Sequence, residues 1–119
     1  MEEIKITITG ELINPEGQSC SSRQIHVAEI DFECQLSWSL AKSECSKLGK
    51  GWRLPTYVEL EVIHKELHKK GKGNFKDSQY WSSMEGDEYE SWVFDFNHGS
   101  AGYNETRFGS FYVRAVRSI

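Results

Sequence analysis

Ile4, Ile6 and Ile8 alternate with Lys5, Thr7 and Thr9, the period-two pattern of a strand with one buried face. Asn14-Pro15-Glu16-Gly17 turns the chain. A second extended run, Gln24 to Phe32, is anchored by Ile25, Val27 and Ile30, with a slip in the alternation near Ala28 that predicts a bulge. Helical spacing follows. Trp38, Ala41, Cys45 and Leu48 fall on one stripe, with Ser37 in the capping position and Gly49 as the left-handed stop. Pro55 keeps Leu54 extended, and Thr56 with Glu59 has the T-x-x-E spacing of a capping box, so a second helix begins there. Its core stripe is Leu60, Ile63 and Leu67, and Gly71 with Gly73 ends it.

The remaining third is aromatic and extended. Tyr80 to Ser83, then Trp92, Phe94 and Phe96 alternating with Val93, Asp95 and Asn97, then Phe111 to Val116 predict three strands. Between them lie an acidic connection, Met84 to Glu90, and a longer one, Asn97 to Ser110. Strands, then two helices, then strands predict an α+β domain with an antiparallel sheet. The expected organisation is one domain over residues 1–119, with an N-terminal strand or hairpin extension over 1–29 and a core over 30–118. Residues 1–30 complete the sheet if they pair with the last strand. If they form a docking arm instead, Val58 and Val62, an i, i+4 pair opposite the core stripe, become a self-association patch.

Composition narrows the function classes. With 119 residues and a formal charge of −4, the chain lacks the basic footprint a phosphate backbone requires, so nucleic acid is not an expected partner. No window approaches a membrane span, and MEEIKITITGEL has acids where a signal peptide needs a basic region. In the form given the chain is expected in the cytoplasm, away from membranes, unless an exporting segment precedes it. Three cysteines, Cys20, Cys34 and Cys45, match no zinc ribbon or redox pair. They are read as reduced thiols, with Cys45 in the core.

GWRLPTYVEL, then YWSS, SWVFDFNHG and a closing YVRAVRS resemble, in that order, the Lcl C-terminal-domain-like family of bacterial domains of unknown function. The similarity runs from about Ile30 to Ser118. That family is similar in turn to the C-type-lectin-like fold, shared with formylglycine-generating enzymes and with the variable proteins of diversity-generating retroelements. The resemblance implies two helices flanking a small twisted antiparallel sheet, with the chain ends paired and long loops on one side. It also implies that Arg53 bonds loop carbonyls or an acid, and that Arg114 and Arg117 brace the last strand.

Candidate sites divide into chemical and recognition classes. His64 and His68 have the i, i+4 spacing of zinc-binding helices, but Lys65 stands where the HEXXH motif needs its glutamate. Glu85, Asp87, Glu88 and Glu90 offer hard oxygens without an EF-hand spacing or the lectin calcium triplets. Copper oxidase chemistry of the formylglycine type needs a late pair of cysteines, and none follows Cys45. Ser82 and Ser83 are expected to bond neighbouring backbone. What remains is the surface of the late strands: by resemblance to the retroelement proteins, Tyr89, Asn97, His98, Tyr103, Asn104, Glu105, Arg107 and Phe108 are the ligand-binding candidates. Tyrosine, asparagine and arginine give wide contact at low entropy cost. The expected function is a non-catalytic recognition module for a protein or glycan, with no cofactor or metal, in a monomer or a homo-oligomer. The alternatives are a metal-dependent enzyme using His64, His68 or His98 with acids of the 85–90 loop, and a structural domain of a larger assembly.

Overall fold

In the computed structural model, the described residues are 4–9, 22–86, 90–106 and 109–118; for 9, 22 and 100–106 the description is of the backbone alone. Strand β1 (Ile4–Thr9) pairs antiparallel with β2 (Ser22–Val27) along six residues, Ile4 opposite Val27 and Thr9 opposite Ser22. The isoleucine alternation sets this register, because a slip of one residue would turn Ile6 and Ile8 out to water. β2 then pairs with the last strand, β7 (Val116–Ser118), which also pairs with the two-residue β3 (Trp52–Arg53). A sheet of order β1-β2-β7-β3 results, so the N-terminal segment does complete a sheet with the chain's end.

A second sheet, where one was expected, holds β4 (Gln79–Glu85), β5 (Glu90–Asp95) and β6 (Ser100–Thr106) in that order. β6 lies inside the stretch read as the Asn97 to Ser110 connection. SAGYNET has no apolar alternation to betray it, and the ladder to β5 forms from backbone groups alone. The segment read as a strand over Phe111 to Val116 is divided between the sheets. Phe111 bridges Leu36 and Tyr112 bridges Tyr80, while the carbonyls of Val113 and Ala115 accept from Phe32 and Ala28. That sharing also explains why the run read from Gln24 to Phe32 leaves β2 after Val27.

β4 over Tyr80–Ser82 and β5 over Val93–Asp95 are buried on both faces. Tyr80, Phe94 and, just beyond β5, Phe96 join Ile6, Ile8, Ile25, Val27, Leu60 and Ile63 in one cluster; Trp81 and Val93 join Trp38, Ala41, Cys45, Leu54, Val113 and Ala115 in another. Helix α1 (Trp38–Lys47) closes the second cluster and α2 (Tyr57–Glu66) the first. Ser37 takes the capping position of α1 without a side-chain cap bond. The indoles fix α1 instead, Trp38 donating to the Ser82 carbonyl at 3.0 Å and Trp81 to that of Leu36 at 2.8 Å. Cys45 is fully buried, and burial together with the nearby Glu44 charge pushes its thiol up to about 12. Val62 packs against the first cluster and Val58 is 39% exposed. No described helix is long and apolar enough to cross a membrane.

The capping box of α2 forms as the sequence predicts: the Glu59 amide donates to Thr56 Oγ1 at 3.1 Å and the Thr56 amide to Glu59 Oε1 at 2.8 Å. Glu59 is itself fully buried. Arg53 grips its carboxylate with two hydrogen bonds, 2.7 and 2.8 Å, and Arg23 adds one at 2.6 Å. Burial pushes this carboxyl up, yet the bonds from Arg53, the Thr56 amide and Arg23 outweigh it and hold it at about 2. The unfolded carboxyl, near 4.5, therefore binds protons that the folded one refuses, and stability falls as pH drops from 4.5 towards 2. Replacing Glu59 by alanine is expected to cost roughly 3 kcal/mol at pH 7. Urea denaturation at pH 7 and pH 3 checks both points: the gap between wild type and variant narrows at the lower pH.

Candidate functional site

The turn joining β5 to β6 is made by Asp95-Phe96-Asn97-His98-Gly99. Asp95 organises it. Its backbone carbonyl accepts from the Gly99 amide at 2.8 Å, its Oδ1 from the Asn97 amide at 2.8 Å, and its Oδ2 lies 2.7 Å from His98 Nδ1. An aspartate that can reach forward two and three residues is the local device for such a turn. Burial pushes the Asp95 carboxyl up, but the bonds from His98 and the two amides hold it below the ordinary carboxylate range. The result is an imidazole oriented through Nδ1 while its side chain stays 71% exposed.

Helix α2 meets this turn through His64. Its Nε2 lies 3.2 Å from the Phe96 carbonyl, so Nε2 carries the proton and donates. The ring packs edge-on against Phe96 and tilted against Phe94. Gly99 makes the approach possible: at φ +69°, a Cβ there would sit 2.5 Å from His64 Cε1. One helical turn on, His68 has its ring 5.6 Å from that of His64 and its Nε2 2.6 Å from Asp77 Oδ1. Burial is the main cause that lowers the His64 pKa, and the neighbouring His68 adds to it.

Between helix and turn lies an open groove of about 440 Å³, lined by His64, His68, Asp77, Asn97 and His98, with Glu61, Lys65 and Lys69 at its rim. Two acids, Glu61 and Asp77, and two lysines, Lys65 and Lys69, leave the lining balanced in formal charge, and its side chains offer donors and acceptors suited to a hydroxylated or peptidic ligand. Among the described residues no three or more His, Cys, Asp and Glu side chains converge to hold a metal ion.

The structure brings Asn97 and His98 together with His64 and His68, uniting the three histidines named in the metal-enzyme alternative. It sets the acidic connection apart. β5 runs from Glu90 to Asp95, so the 85–90 end lies about 17 Å along the strand from the His98 turn. Glu105 stands opposite Ser91 and Asn104 opposite Trp92, with Tyr103 also in β6. Tyr89, Arg107 and Phe108 lie outside the described residues. Asp77, Asp95 and Gly99 were not singled out as site residues; the signal for the last two was the D-F-N-H-G run, an aspartate three residues before a histidine and four before a glycine. Ser82, as expected, bonds backbone, donating to the Trp92 carbonyl at 2.7 Å and accepting from the Met84 amide at 3.2 Å.

Substituting Gly99 by alanine is expected to cost about 1–3 kcal/mol, from the positive φ and the collision with His64, and to shift the imidazole proton resonances of His64 in NMR spectra. Since the His64 pKa is depressed in the fold, unfolding takes up a proton there as pH falls below the ordinary 6.5. Thermal melts from pH 7.5 to 5.5 are expected to show a stability loss on acidification that a His64→Asn variant lessens.

No curated protein matches the chain. A family model, the Lcl C-terminal domain, matches residues 16–117, which reaches fourteen residues further toward the N-terminus than the motifs from Ile30 onward and takes in β2. The ordered WRLPT, YWSS and FDFNHG segments and this match lead to one conclusion: the chain belongs to the Lcl C-terminal domain family.

Proposed function

We propose that this chain is a non-catalytic recognition module, built on a C-type-lectin-like variant of its α+β fold, which binds a protein or glycan through the β5–β6 hairpin and the groove beside it. The observation that carries the reading is the Asp95-braced turn. Its hydrogen bonds fix Asn97 and the exposed His98 before any ligand arrives, so little ordering entropy is lost on binding. The α2 side of the groove is equally fixed, through His64 on the Phe96 carbonyl and His68 on Asp77. In this reading Tyr89, Tyr103, Asn104, Glu105, Arg107 and Phe108 are the further ligand-binding candidates, and the ligand is taken without metal or cofactor. Among the described residues that line the groove, none is a serine, cysteine or threonine.

The test is a screen of the purified protein against a glycan array and a library of cell-surface proteins, with two variants alongside. One carries Asn97→Ala and His98→Ala; the other carries Tyr103→Ala, Asn104→Ala and Arg107→Ala. Specific binding that weakens by about tenfold or more in both, with the melting temperature unchanged, is the expected result. Absence of any ligand, or binding indifferent to both variants, overturns the proposal in favour of a structural domain.

A further inference from the structure

β1 is the outer strand of its sheet, paired with β2 on one side and, among the described residues, with no strand on the other. Alternate residues of such a strand direct their backbone N–H and C=O groups away from the sheet. Beside this edge runs a groove of about 510 Å³, lined by Lys5, Ile6 and Thr7 from β1 and by Glu66, Lys70 and Lys72 from the end of α2 and the turn after it. Three consecutive residues of one strand present side chains to opposite faces in turn. Gln24, opposite Thr7 on β2, and Leu67 complete the lining, so the groove joins side chains from both faces of β1 to the end of α2.

Charge selects the occupant. Glu66 neutralises Lys70, whose Nζ lies 3.1 Å from its Oε2. Lys5 and Lys72 are exposed, and neither has an ion-pair partner among the described residues. A second copy of the chain pairing edge to edge would bring Lys5 and Lys72 against their own equivalents, a repulsive arrangement. An extended segment with acidic side chains meets both demands, its backbone completing the ladder and its carboxylates reaching the two lysines. We infer that the β1 edge is a strand-addition site for an acidic extended peptide of another protein, a second surface distinct from the β5–β6 hairpin and independent of its proposed role.

A display library of random eight-residue peptides, selected on the whole chain at low salt, tests this. The selected sequences are expected to be enriched in aspartate and glutamate at alternate positions. Synthetic versions should bind wild type and a His98→Ala variant alike, and lose about tenfold or more in affinity toward a Lys5→Glu, Lys72→Glu double variant. Those lysines are exposed, so the variant keeps its fold, which its melting curve confirms. Methylating alternate backbone nitrogens of the peptide should weaken binding to a similar degree while leaving its charge intact, and bound peptide should slow amide hydrogen exchange at Lys5, Ile6 or Thr7. Three results overturn the inference: a selection that enriches nothing acidic, peptides whose affinity the double variant leaves unchanged, and N-methylated peptides that bind as tightly as their parents, which would mark a plain anion patch without strand pairing.

Discussion

A buried carboxylate with nowhere to send its charge except two guanidinium groups is the constraint around which this domain is arranged. Glu59 lies at the third position of α2, Arg53 on β3 and Arg23 on β2. The ion cluster thus joins the N-terminal hairpin, the WRLPT loop and the second helix at one point, with the Thr56 cap bonded to the same carboxylate. Ion pairs at this depth gain their value from completeness, since each missing bond leaves charge without solvent or partner. Here the carboxylate accepts four short bonds. That is why a glutamate, ordinarily a surface residue, can hold a position more buried than many of the aliphatic side chains around it.

A third arginine does similar work on another acid, Asp31. Arg114, fully buried, bonds Asp31 at 2.8 Å, the carbonyls of Ala28, Gly73 and Asn74, and lies over the Phe75 ring at 3.9 Å. Asp31 in turn accepts from the Tyr80 hydroxyl at 2.7 Å. Carbonyls of two segments outside the strands, the stretch after β2 and the glycine loop after α2, accept from this one side chain. Arg117 contributes on β7, bonding His26 and lying over the Trp52 ring.

Much of this was legible in the chain because the signals were local. The isoleucine alternation fixes β1 and the T-x-x-E spacing fixes the start of α2, while the family resemblance of the WRLPT segment implies that Arg53 bonds loop carbonyls or an acid, though not that the acid is Glu59 of the capping box itself. What escaped was carried by pairing between distant residues. β6 shows no apolar period and is placed by its register with β5, and the division of residues 111–115 depends on partners as far back in the chain as Ala28, Phe32, Leu36 and Tyr80. The groove at the β5–β6 turn escaped for the same reason: His64 and His98 were each visible, but only the close pass of Gly99 over the imidazole brings them to one place.

The strand order carries a mechanical consequence. β1 and β7 are both antiparallel to β2 and therefore run the same way, with Ile4 and Val116 aligned on either side of Val27. Tension applied at the start of β1 and at the end of β7 pulls these neighbours in opposite directions along their length. The hydrogen bonds across β2, lying perpendicular to that force, are loaded together instead of parting one after another from a free end. A domain tethered through these two strands is held in shear, the geometry in which a small sheet resists extension best.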